Sequence, residues 1–142
     1  MKIVIEQTKR YPKRMVYHPE TNTFSESDKE SLAHARGFDY PYGWVKESGT
    51  PPAPHCDCML MSTKEYSLGD EMEIKLIGMF KRKDGDHKYI VVEIGREIND
   101  YAELSAEEKE ALHKLYPRVG VGEGWFGKEE AAWCYEHCEK AL

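Results

Sequence analysis

The chain has 142 residues, 40% hydrophobic and 32% charged, and carries a formal net charge of −6. That composition describes a soluble globular protein, and the length suits one domain over residues 1–142 burying about 70% of the surface its unfolded chain would expose. The acidic balance argues against a nucleic-acid binder working through a diffuse basic surface, and no apolar run is long enough to cross a bilayer.

The start, Met1 to Glu6, lacks the apolar region and cleavage site of a secretory signal, so the cytoplasm is the expected compartment. Lys2 to Glu6 reads as a short strand, with Ile3 and Ile5 on one face. Gln7 to Lys13 is polar and broken by Pro12, a loop or irregular edge. Arg14 to Tyr17 reads as a second strand, closed by the turn chemistry of His18 to Asn22. Ser25 to Ala35 is polar and fits either a helical turn or a disordered insertion.

Phe38 to Val45 is dense in aromatics and suits a core, although its tyrosine hydroxyls could reach into a cleft from an apolar body. Lys46 to Pro54 holds Gly49, Pro51, Pro52 and Pro54, and predicts an exposed loop. His55 to Met61 predicts a strand with His55, Asp57, Met59 and Met61 on one face and Cys56, Cys58 and Leu60 on the other. An aspartate in so apolar a strand needs water at the strand end or a cation facing it.

After a turn at Tyr66 to Asp70, residues Met72 to Ile94 read as strand, tight turn, strand. The turn contains Asp84-Gly85-Asp86, and Gly supplies the positive φ that tight turns require. Two carboxylates bracketed by Lys81, Arg82, Lys83 and Lys88 form either a solvated tip or a joint site for cations and polyanions. Ser105-Ala106-Glu107-Glu108 is a capping box that predicts a helix to about Tyr116, stopped by Pro117. Arg118 to Gly127 is glycine-rich and predicts a loop. Lys128 to Leu142 predicts a last helix with Ala131, Cys134 or Tyr135, Cys138 and Leu142 at helical spacing. Cys56, Cys58, Cys134 and Cys138 read as buried thiols, the alternative being a zinc site whose spacing fits no common module. Short strands followed by two helices suggest a small β-barrel with helices packed outside.

These pieces, in this order, resemble the soluble inorganic pyrophosphatases of the single-barrel family from about Val4 to Ala141, most weakly between Ser25 and Arg36. Gly78-Met79-Phe80-Lys81 followed by Asp84, Asp86 and Lys88 is similar to the family's Gly-Val-Leu stretch with its two metal-binding aspartates and a phosphate-binding lysine. Leu115-Tyr116-Pro117-Arg118 and Glu123-Gly124-Trp125 resemble its Tyr-Lys pair and Glu-Gly-Trp. Tyr40-Pro41-Tyr42-Gly43-Trp44 resembles its Tyr-Pro-x-Asn-Tyr-Gly-Tyr run.

The resemblance implies an OB-like five-stranded barrel with two C-terminal helices outside it, mainly β with flanking helices in an α+β arrangement. It implies metal ligation by Asp57, Asp84 and Asp86, with Asp57, Lys88 and Tyr42 at the reacting centre. Arg14, Lys88, Tyr42, Tyr116 and Arg118 are the implied phosphate contacts, and Glu6 matches the acid closing the first strand. The sequence also departs from the pattern. Pro51 to Cys56 replaces most of an aspartate run, including the carboxylate thought to accept a proton from the attacking water. Val16 replaces another acid, and either Lys29 or Arg36 stands for an arginine. A His55 ligand would shift metal preference from magnesium toward manganese, cobalt or zinc.

The expected function is therefore Mg2+-dependent hydrolysis of a phosphoanhydride, pyrophosphate in the simplest case, by direct water attack. The alternative is a barrel that has lost catalysis and binds a phosphorylated ligand or a protein partner. An OB-type nucleic-acid binder fits the barrel but not the charge, and the resemblance further implies a homo-oligomer.

Overall fold

The structure is a computed structural model that describes residues 1–137. Its strands are β1 (Lys2–Gln7), β2 (Lys13–His18), β3 (Thr23–Glu30), β4 (Tyr42–Val45), β5 (Asp57–Leu60), β6 (Glu71–Lys81), β7 (Lys88–Glu93) and β8 (Gly124–Gly127). Its helices are α1 (Leu32–Ala35), α2 (Ala106–Leu115) and α3 (Lys128–His137).

Five strands close on themselves in the order β1, β4, β5, β7, β6 and back to β1. All these pairings are antiparallel except β5 with β7, which run parallel. Along the long strand β6, β1 pairs only with Glu71 to Glu73, which leaves the edge at Gly78 to Lys81 for β8. Closure brings β1 and β4 together at Gly43, where an added Cβ would lie 2.1 Å from the Val4 carbonyl oxygen. Only glycine permits that approach.

The apolar runs of β5 and β7 follow from burial on both faces. Cys58, Leu60, Tyr89 and Val91 join Ile3, Ile5, Ala131 and Cys134 in one core cluster. Met59, Met61, Ile90 and Val92 join Phe38, Leu112 and Leu115 in the other. The alternation expected for His55 to Met61 is thus the alternation seen. The Ser105 hydroxyl accepts from the Glu108 N–H and the Glu108 carboxylate accepts from the Ser105 N–H, so the capping box is formed.

The structure corrects two expectations and places a third. Ser25 to Ala35 is neither a helical turn alone nor an insertion: its first part belongs to β3, paired with β2, and only Leu32–Ala35 is helical. Most of β3 is solvated, which hides its strand character from any apolar pattern, and the β2–β3 ribbon docks through an aromatic group. Tyr17 lies 5.0 Å from Phe24 and 5.1 Å from Trp44, ring centre to ring centre. Secondly, Arg14 to Tyr17 is the strand expected, and it belongs to this ribbon and not to the barrel. Thirdly, the loop expected from Arg118 to Gly127 ends in β8. Gly78 makes room for it, because a Cβ there would come within 2.7 Å of the Phe126 carbonyl oxygen. The aromatic run 38–45 supplies buried Phe38 and Trp44 and forms barrel strand β4. The last helix is described to His137; Cys138 and Leu142 lie outside the described residues.

Candidate functional site

Where the first residues of β5 and β7 meet, one end of the barrel opens into a cleft of about 810 Å3. Asp57 and Lys88 are partners in the parallel register, so their side chains leave adjacent strands side by side. Lys88 Nζ lies 2.8 Å from Asp57 Oδ2 and 3.1 Å from Asp86 Oδ2, with the lysine side chain only 9% exposed. His55 Nε2 lies 3.0 Å from Asp57 Oδ1, and its Nδ1 lies 2.8 Å from the Ala53 carbonyl oxygen. Both ring nitrogens therefore face acceptors, an arrangement that the doubly protonated, cationic imidazole satisfies.

The electrostatics follow from this packing. Burial alone would raise the Asp57 carboxyl, but the His55 hydrogen bond and the Lys88 charge hold it at about 2. The hydrogen bond to Asp57 raises His55 against the opposing effect of burial. Burial would lower Lys88, and the Asp57 carboxylate more than offsets it, so the ammonium is held charged. Glu6, on β1, is raised to about 7 by burial and then by the neighbouring Asp57, against the charges of His55, Arg14 and Lys88. The Tyr42 and Tyr116 hydroxyls are hydrogen-bonded to one another, and burial raises both well clear of neutrality. Phe80 stacks on Tyr116 at 5.2 Å, which fixes the phenol at the cleft wall.

The hairpin tip is an ordered turn. Gly85 has φ of 83° and donates its N–H to the Arg82 carbonyl, while Asp84 Oδ1 accepts from the Asp86 N–H at 2.9 Å. Arg82 reaches back to Asp84 at 3.2 Å and toward Asp86 at 3.9 Å. Glu123 accepts from the Lys83 N–H at 3.2 Å and the Gly120 N–H at 2.9 Å, tying the tip to the chain ahead of β8. The tip is thus both solvated and part of the cleft: Asp84 and Asp86 are each 53% exposed, and both line it.

Of the residues predicted from the sequence, Arg14, Tyr42, Asp57, Asp84, Asp86, Lys88 and Tyr116 converge on this cleft. Arg118 does not: it is exposed beyond Pro117, off the cleft lining. Neither Lys29 nor Arg36 lines the cleft; Arg36 donates to the Leu115 carbonyl and secures the end of α2. Arg82 and His55 are the site cations that the sequence left outside the phosphate-binding set. Arg82 looks like any charged hairpin residue, and only its contacts with Asp84 and Asp86, and that of His55 with Asp57, give either one a role.

The donor set was weighed against a divalent metal. Among the described residues, no three His, Cys, Asp or Glu side chains converge to hold an ion; Cys56, Cys58 and Cys134 are buried thiols, and Cys138 lies outside the described residues. His55 has an acceptor at each ring nitrogen, and its hydrogen bond to Asp57 favours the protonated imidazole. Asp57 and Asp86, with Asp84 at the rim, fit a hard cation held by one or two carboxylates together with a ligand's phosphate oxygens and water, the usual habit of magnesium.

No protein-family model and no curated protein matches the chain. Solved structures do. The inorganic pyrophosphatase of Neisseria gonorrhoeae superposes with a TM-score of 0.75 at 17% identity, over 97% of this chain and 88% of that one. That of Ehrlichia chaffeensis gives 0.74 at 17%, over 98% and 92%. The Thermus thermophilus enzyme gives 0.67 at 17%, over 97% and 88%. Barrel, ribbon and outer helices together make this the fold of the soluble inorganic pyrophosphatases, written in a divergent sequence.

Proposed function

We propose that this chain is a divalent-cation-dependent phosphoanhydride hydrolase, with pyrophosphate as its simplest substrate. The observation that carries the reading is the convergence of Lys88, Asp57 and Asp86 at the deep end of a cleft ringed by Arg14, Arg82, Tyr42 and Tyr116. Asp57, Asp86 and Asp84 would hold the metal jointly with the substrate. When bound, the metal polarises the phosphate and makes a water molecule easier to deprotonate.

The protein's own side chains do the rest. Lys88 and Arg82 offer N–H donors to the phosphate oxygens, and Arg14 adds charge from the ribbon side. Tyr42 and Tyr116 remain protonated at neutral pH; one proton is spent in their mutual hydrogen bond, which leaves the other as a donor to the ligand. Glu6 titrates near neutrality, so it can exchange a proton within the cleft without a large driving force. No side chain needs to form a covalent intermediate, because water adds directly to phosphorus.

A second reading, binding without hydrolysis, is favoured by one observation: the carboxylates are each paired with a cation, and no three of them converge among the described residues. Phosphate release from pyrophosphate with magnesium, manganese, cobalt and zinc, beside an Asp84→Ala/Asp86→Ala control, separates the two. Metal-dependent turnover that vanishes in the control supports the hydrolase; no turnover in a folded protein transfers the site to the binding reading. A homo-oligomeric state and a cytoplasmic location belong to the same proposal, and sedimentation of the purified protein tests the first.

A further inference from the structure

The cleft is polar at its deep end, and its solvent-exposed lining carries apolar groups beside the charges of Arg14, Asp84 and Asp86. Lys88, Asp57 and Tyr116 form the inner part, with side chains mostly withdrawn from water. The apolar part of that exposed lining is Val16 of β2, Leu32 of α1, and Pro52 and Pro54 of the segment before β5. Val16 is 40% exposed and Leu32 47% exposed, so these are apolar groups left in water at the entrance to a charged site. Pyrophosphate is small and polar on every side. It can satisfy the inner donors, but it presents nothing that Val16, Leu32 or the prolines could cover. A cleft of about 810 Å3 also lies in the range of pockets that enclose whole organic ligands, roughly 300–1,000 Å3.

We infer that the physiological ligand is an organic diphosphate: a phosphoanhydride whose inner phosphate carries an apolar or aromatic group, held with its terminal phosphate at Lys88 and its organic end against Val16, Leu32 and Pro52. The inference rests on the hydrolase reading and narrows its substrate class. In the reaction, water oxygen bonds to the terminal phosphorus and the bridging P–O bond breaks. Its electron pair stays with the organic monophosphate. Inorganic phosphate leaves with one proton of the water, and the other passes to solvent. The organic group takes no part in the chemistry. Its burial against the mouth supplies binding that pyrophosphate cannot obtain.

The test compares kcat/KM for pyrophosphate, ADP and isopentenyl diphosphate with magnesium, in the wild-type chain and in Leu32→Ser and Val16→Ser. ADP and the alkyl diphosphate distinguish a nucleoside from an aliphatic group as the occupant of the mouth. The expected result is a higher kcat/KM for at least one organic diphosphate than for pyrophosphate. The organic-to-pyrophosphate ratio should fall at least fivefold in each variant. Turnover of pyrophosphate faster than of both organic diphosphates, with a ratio that neither variant moves, overturns the inference and leaves the hydrolase reading intact. No turnover of any substrate defeats the hydrolase reading instead. Calorimetric titration of the same three compounds then decides: tighter binding of an organic diphosphate, weakened by Leu32→Ser, upholds the occupant, and tighter binding of pyrophosphate overturns it.

Discussion

Lys88 Nζ lies 2.8 Å from Asp57 Oδ2, joining two residues that are parallel neighbours in the sheet though far apart in the chain. Each ion would be costly to bury alone. Together, with His55 and Asp86 completing the group, they fix the deep end of the cleft in one geometry.

Removing the ammonium should therefore destabilise the protein as well as the site. Lys88→Met is expected to cost about 3 kcal/mol in urea denaturation, because the largely buried Asp57 keeps only His55 as partner. Asp57→Asn in the same background should recover part of that loss, with a coupling energy of about 1–3 kcal/mol in the double-mutant cycle. Strict additivity of the two substitutions would contradict the pair.

Glu6 gives a pH dependence of the opposite kind from an ordinary ion-paired acid. Its carboxyl is raised from 4.5 to about 7 in the folded chain, so the folded state binds the proton more tightly than the unfolded state does. This contribution is fully favourable below pH 4.5, declines as pH rises, and is lost above about 7. Glu6→Gln should consequently raise stability at pH 8 by about 2–3 kcal/mol and change it little at pH 4. Thermal unfolding at the two pH values is the measurement, and an equal shift at both would count against a raised Glu6.

Asp57 behaves in the reverse direction. Its carboxyl is lowered from 3.8 to about 2, so its stabilising effect is present above pH 3.8 and is lost as pH falls through 2. In an acid titration, Asp57→Asn should remove the part of the stability loss that falls below pH 4. An unchanged acid limb would mean that Asp57 is not held by its cations.

The hairpin aspartates are a site feature more than a fold feature, being half exposed. Asp86→Ala is expected to lower phosphate release by about 10²-fold or more while moving the denaturation midpoint little, since exposed ion pairs contribute about 0–1 kcal/mol. Large unfolding without a specific activity loss would reverse that assignment.

Glu123 orders the tip from outside the cleft. Glu123→Ala frees the N–H groups of Lys83 and Gly120, and hydrogen exchange at both should quicken at least tenfold. A rise in KM larger than any fall in kcat would accompany it, because the change loosens Arg82, Asp84 and Asp86 without removing a group that meets the reacting atoms. Unaltered exchange at Lys83 would leave the Glu123 contact without consequence.

Much of the fold was legible because its local signals agree. Asp84-Gly85 marks the turn of the β6–β7 hairpin, Ser105 and Glu108 form the helix cap that their spacing announces, and His55 to Met61 alternates as its side chains require. β3 was not legible, since its mostly exposed residues carry no apolar period and it is held by pairing with β2. β8 was hidden for a related reason: four residues with two glycines look like loop until β6 offers an edge and Gly78 clears the space.

Seven of the eight residues named for the site converge in the cleft, and the exception shows where local reading stops. Arg118 has the right charge at nearly the right spacing, yet the chain turns at Pro117 and leaves it outside. By itself the sequence determined the elements whose hydrophobic period, caps and turns act over a few residues, but neither β3 nor β8. Only the tertiary structure decided that Lys88 faces Asp57, that His55 stands between Asp57 and the Ala53 carbonyl, and that Val16 and Leu32 line one cleft. Those relations arise where the barrel closes, between strands whose separation along the chain carries no local signal.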